Sequence, residues 1–151
     1  MGDLYDDDIL EWSERQARLL RDLAAGRRGN EAPDWANVIE EIESVGRSQL
    51  TAVKSLLVQA LLHDLKSAAW PLSRDVPHWR AEARGFRDEA ADAFAPSMRQ
   101  HIDVAELYRK ALRRLPESLA ETLSVCGWDG QPPLPVPDVC PVMLDELLGA
   151  G

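Results

Sequence analysis

The stretch Asp34-Trp35-Ala36-Asn37-Val38-Ile39-Glu40-Glu41-Ile42-Glu43-Ser44-Val45-Gly46 decides the fold. Asp34 can accept a hydrogen bond from a first-turn backbone N–H and so opens a helix. Trp35, Val38, Ile39, Ile42 and Val45 then recur at helical spacing, as an apolar stripe does. The stripe continues through Gly46, Gln49, Val53, Leu56, Leu57 and Ala60, and no proline interrupts it before Pro71. One helix over 34–70 is therefore predicted, about 36 residues or roughly 54 Å long. Its apolar stripe is expected to be core, covered by more than one shorter neighbour.

Working outward, the N-terminal side supplies a first helix over 4–25. Tyr5, Ile9, Trp12, Gln16, Leu19, Leu20 and Leu23 lie on one face, and Asp6, Asp7 and Asp8 sit near its start, where the helix dipole favours acids. Gly26 is a natural stop. On the other side, Pro77 starts a third helix over 77–95, with Trp79, Ala83, Phe86, Ala90 and Phe94 inward. Ser97 can cap a fourth over 97–115 with Met98, Ile102, Ala105, Tyr108, Leu112 and Leu115 inward. Pro116 is expected to kink or break the chain before a short helix over 117–125.

Pro132, Pro133, Pro135 and Pro137 make 127–141 an extended strap, held by Trp128, Leu134 and Val136. A short helix over 141–148 closes the chain. The fold class is all-α: a mostly antiparallel helical bundle in one domain, 1–151, built around one long helix, with a proline-rich C-terminal strap.

Composition narrows function. The 151 residues carry a formal net charge of −9. That disfavours nucleic acid and anionic membrane as partners. No apolar run approaches the roughly 20 residues of a membrane span, and Met1–Asp8 does not look like a secretory leader, so a cytoplasmic location is expected. Cys126 and Cys140 read as two free thiols, with a disulfide as the alternative.

Together Tyr5, Asp7, Trp12 and Gln16, the Asp34-Trp35-x-Asn37 entry, Glu40-Glu41-Ile42-Glu43-Ser44-Val45-Gly46, Leu62-His63-x-Leu65-Lys66, Trp79-Arg80, Pro96-Ser97 and Cys140-Pro141 resemble the bacterial family known as domain of unknown function 29. The resemblance spans nearly the whole chain and implies a small all-helical protein with no assigned activity. Two residues depart from the family pattern: Asp64 stands where an aliphatic residue is expected, and Val45 replaces a leucine.

Two clusters are candidates for chemistry. Glu40 and Glu43 are spaced to share a hard cation with Glu89 and Asp92, a second acidic pair at the same spacing. This is similar to all-α nucleotide pyrophosphohydrolases, which hold magnesium between two acidic helices. On this reading Mg2+ is the cofactor of a phosphohydrolase; otherwise no cofactor is predicted, and the carboxylates are solvated or paired with arginine. The second cluster is His63, Asp64 and Lys66. A carboxylate turned toward the apolar stripe needs a cationic partner, and such a group suits proton transfer; the plainer reading is a satisfied helix end.

Arg80, Arg84 and Arg87 line one face of the third helix but alternate with acids, which points to internal ion pairs. Paired Glu-x-x-His motifs for a di-iron centre are absent from the sequence, as are a nucleophile elbow and a phosphate loop. With Trp12, Trp35, Trp70, Trp79 and Trp128 as possible interface anchors, the expectation is a non-enzymatic module acting through a protein partner or self-association. The metal-dependent phosphohydrolase is the alternative.

Overall fold

The computed structural model describes residues 3–126 and 133–149, with side chains outside 116–132. The described residues form helices and connecting segments, without a strand. In order they are α1 (Leu4–Asp7), α2 (Ile9–Ala24), α3 (Trp35–Ala69), α4 (Val76–Ala93), a 3-10 segment (Pro96–His101), α5 (Val104–Cys126) and α6 (Leu144–Leu147). The chain divides into two compact units, 1–48 and 49–151, and the boundary falls within α3.

In the first unit, the acidic start separates two helices instead of lying inside one. Asp3 caps α1 at the Tyr5 N–H, and Asp8 caps α2 at the Glu11 N–H, at 3.0 Å. Gly26 adopts a left-handed φ of +72° after α2, as expected of a stop. Trp12 and Gln16 are buried on α2, and Val38 is buried on α3.

The expectation of a continuous core stripe fails in this half of α3. Trp35, Ile39, Ile42 and Val45 are 50%, 53%, 69% and 61% exposed. Geometry explains the difference. A helix advances 100° per residue, so one short neighbour covers only one side. Here the covered side holds Val38, Glu41 and Ser44, displaced from the apolar stripe.

In the second unit the same helix has no exposed residue from Leu56 to Ser67. Val53, Leu57, Val58, Ala60, Leu61, Leu62 and Leu65 are 5% exposed or less, the pattern of a helix with neighbours on several sides. Ala90 of α4, Leu107, Tyr108 and Ala111 of α5, and Leu144 and Leu147 of α6 complete this core. A smaller cluster of Ala69, Trp70, Val76 and Trp79 closes the junction between α3 and α4.

The predicted fourth helix is also revised. Residues Pro96–His101 are 3-10, and α5 starts at Val104 because Asp103 accepts from the N–H groups of Ala105 and Glu106 at 2.9 and 3.3 Å. An Asp cap outcompetes Ser97, which lies behind Pro96. The helix then runs past Pro116 to Cys126 without a break; proline removes one donor, and the bonds on either side carry the helix on.

Trp128 lies outside the described residues, as do 127–132 of the strap. From Pro133 the strap is extended, and it is held through backbone groups. The Leu134 N–H caps the Ala69 carbonyl at 2.8 Å, and the Tyr108 hydroxyl donates to the Pro137 carbonyl at 2.5 Å. The side chain of Leu134, expected to anchor the strap, is 54% exposed, whereas Val136 packs on the core. Cys140 is a free thiol that donates weakly to the Val142 carbonyl at 3.4 Å.

Candidate functional site

The polar cluster on α3 gathers the second group of sequence candidates. His63 is 8% exposed. Its Nδ1 lies 2.7 Å from the Gln59 carbonyl, which fixes that nitrogen as a donor, and its Nε2 lies 2.7 Å from Glu82 Oε2 on α4. His78, one turn before Glu82, approaches the other carboxylate oxygen at 3.4 Å. Phe86 packs its ring 5.4 Å from the imidazole. The Ser67 hydroxyl donates to the His63 carbonyl at 3.0 Å, closing the local backbone.

Asp64 has the cationic partner its position demands: Arg87 of α4 donates to it. Burial pushes the Asp64 carboxyl above the usual carboxylate range, while Arg87 and His63 hold it down. Its other surroundings are a cleft of about 230 Å³ lined by Leu61, Leu65, Tyr108 and Pro141. Lys66 is buried, with its ammonium 5.7 Å from the centre of the Trp79 ring.

His63, Asp64 and Lys66 therefore diverge to three sets of partners rather than converging on one reacting atom. Glu82 and Arg87, which complete two of these contacts, were not singled out for them by sequence reasoning. The His78-x-x-x-Glu82 spacing and the run of α4 back along α3 were the available signals.

The acidic group is placed differently. Glu40 and Glu43 are both exposed on α3 and share Arg47, at 2.5 and 3.7 Å. Glu41, one residue on, accepts the Tyr5 hydroxyl at 2.6 Å, which raises the phenol's pKa. Glu89 and Asp92 are exposed on α4. Among the described residues, no three His, Cys, Asp or Glu side chains gather into a set that could hold a metal ion. No helix of the described residues is long and apolar enough to cross a membrane.

What remains unexplained by internal bonding is the bare face of α3. Trp35, Ile39 and Ile42 spread over about two turns of it, each half or more exposed, and Val45 is 61% exposed a turn further on, to one side of that face. Beside Trp35, a cleft of about 370 Å³ opens between Leu19 and Leu23 of α2 and the loop Arg27–Pro33. Contiguous exposed apolar residues on a folded domain mark contact sites more often than scattered ones do.

An all-helical fold of the described residues that includes one long helix defines the class. Within it, the chain belongs to the family described as domain of unknown function DUF29, whose model matches residues 4–150. A solved structure, an alpha-helical protein of unknown function from Rhodospirillum rubrum, matches with a TM-score of 0.65 at 28% identity, covering 98% of this chain and 90% of that one. No curated protein matches the chain.

Proposed function

We propose that this protein is a non-enzymatic helical module whose task is to bind another polypeptide along the exposed apolar face of α3. One observation carries the reading: Trp35, Ile39, Ile42 and Val45 are 50–69% exposed on the same helix in which Val53, Leu57, Leu61 and Leu65 are at most 4% exposed. Leaving four large apolar side chains in water on a rigid helix costs solubility and gives the fold nothing. The same residues, rimmed by Glu40, Glu43 and Arg47, form a suitable groove-side surface for a second helix. Trp35 and the adjoining cleft supply the aromatic anchor and pocket that concentrate binding energy.

The polar cluster supports the same reading by what it lacks. His63, Asp64 and Lys66 are tied to separate partners, and none is aimed with another at a common substrate position. Their chemistry is that of a satisfied helix–helix contact. The phosphohydrolase alternative would need Glu40 and Glu43 released from Arg47.

A photo-crosslinking residue placed at Ile39, with the same residue at exposed Arg80 as control, tests this in cells that carry the protein. A discrete protein adduct from position 39 and none from position 80 is expected. No adduct from position 39, or equal adducts from both positions, would overturn the proposal.

A further inference from the structure

The cleft of about 370 Å³ beside Trp35 lies wholly within the first unit, and its charged groups differ in how they are matched. Asp22 accepts from Arg27 at 2.7 Å, and Glu31 accepts from Arg15. Arg28 also lines the cleft, and among the described residues its guanidinium has no hydrogen bond or ion pair. The backbone N–H groups of Arg28 to Ala32 likewise donate to no described group of the protein. Water satisfies such donors on an exposed loop, and a ligand that brings acceptors can take its place. Beside these donors the lining is apolar, with Leu19 and with Leu23 and Trp35, which are 45% and 50% exposed.

We infer that this cleft receives the C-terminal residue of a partner polypeptide, its apolar side chain against Leu23 and Trp35 and its free carboxylate at Arg28 and the loop amides. The inference rests on the docking reading above and names the part of the partner that is held. Chemistry selects this occupant. A guanidinium and a run of free N–H groups call for an anion with several acceptor sites, and the apolar lining calls for an uncharged side chain next to it. A terminal residue carries both on one Cα. An internal Asp or Glu brings the charge without the apolar group, and so does phosphate. Capture of a terminal carboxylate by backbone amides is a recurrent mode of peptide recognition. Trp35 also begins the bare face, and Ile39 and Ile42 share its side of the helix, so a chain that ends in the cleft continues over them.

Local charge favours the anion although the whole chain carries −9. Screening at physiological ionic strength limits the reach of a surface charge to about 8 Å, so the groups in the cleft decide. Of these, Asp22 and Glu31 are matched by arginines, and Arg28 is left over. Because Arg28 is exposed, added salt weakens the contact. The volume lies near the lower end of small-ligand sites, roughly 300–1,000 Å³, and so suits the end of a chain.

Nuclear magnetic resonance titration of the full chain tests the inference with an acetylated tetrapeptide, leucine-alanine-alanine-leucine, made once with a free carboxylate and once as the amide. Expected is a saturable shift of the Gly29 and Asn30 amide signals and the Trp35 indole signal by the acid, with a Kd on the order of 1 mM. The amide should bind about tenfold more weakly. Arg28→Gln should remove that preference and unfold at the parent's temperature, since Arg28 bonds to no described residue. No saturable shift of these signals, equal binding of acid and amide, or a preference unchanged in Arg28→Gln would overturn the inference. N-acetylleucine binding as tightly as the tetrapeptide would overturn a polypeptide as the occupant. Peptides that fail to titrate, alongside a photo-adduct at Ile39, would end the cleft ligand and leave the docking reading standing. Peptides that titrate without any adduct would support the cleft site and end the wider face as a docking surface.

Discussion

The indole N–H of Trp12 donates to Asp34 Oδ2 at 3.1 Å, joining the middle of α2 to the entry of α3. Asn37 donates to the same carboxylate oxygen at 2.6 Å, and Gln16 Oε1 accepts the Asp34 backbone N–H at 2.7 Å. Of the Tyr5, Asp7, Trp12, Gln16 and Asp34-Trp35-x-Asn37 signature, one local network thus joins all but Asp7 and Trp35; Tyr5 packs edge-on against Trp12 at 4.9 Å.

That network sets a pH dependence. Bonds from Asn37 and Trp12 lower the Asp34 carboxyl below its ordinary value. A depressed folded pKa contributes stability that is present above the unfolded value and lost as pH falls through the folded one. Asp34→Asn should therefore be less stable than the parent at pH 7. The gap should narrow once pH drops below about 4, as read by denaturant unfolding at pH 7 and pH 3.

Asp64 shows the opposite sign. Its raised pKa means that its contribution is fullest below the unfolded value and is lost as pH rises through the folded one. Arg87→Met removes the opposing cation and leaves a part-buried carboxylate alone, at a cost of about 1–3 kcal/mol at pH 7. Acidification should restore part of that loss, and Asp64→Asn combined with Arg87→Met should restore it at all pH values. Denaturant midpoints across pH 4–8, a range of roughly four units chosen to span a raised carboxyl, decide the matter.

Around Glu82, the buried and exposed histidines should separate. Glu82→Ala strands the imidazole Nε2 of His63 and is expected to cost about 1–3 kcal/mol. His78→Ala removes a contact from a side chain that is 69% exposed, and should fall within about 0.5 kcal/mol. Equal losses from the two substitutions would contradict the described geometry.

At the strap, Tyr108→Phe deletes the hydroxyl that holds the Pro137 carbonyl at 2.5 Å. About 1 kcal/mol should be lost. The change should also be local: faster modification of the Cys140 thiol, with little change in exchange at the α3 amides of Val53–Leu65.

The long helix was legible because apolar spacing and the lack of proline act locally. The caps at Asp34 and the α4 entry at Pro77 were legible for the same reason. Burial was legible only where several neighbours surround the helix, as at Val53–Leu65. Periodicity cannot distinguish a covered stripe from a bare one, so Ile39 and Ile42 read as core. Asp64 carried its own signal, a carboxylate turned toward apolar positions, but its choice of Arg87 over Arg84 depended on how α4 is rotated. Asp103 was hidden as a cap because Pro96-Ser97 offered an earlier helix start. Its Asp-x-x-Glu spacing to Glu106 is the signal that could have found it.

The most direct measurement is the unfolding free energy of the double variant Ile39→Glu, Ile42→Glu at a concentration low enough to keep the chain monomeric. Two side chains that await a partner outside the fold should cost little, within about 0.5 kcal/mol each. A loss of about 3 kcal/mol or more per site, the cost of placing an unpaired charge in a packed interior, would show that the stripe is core in the folded chain and contradict its role as a docking face.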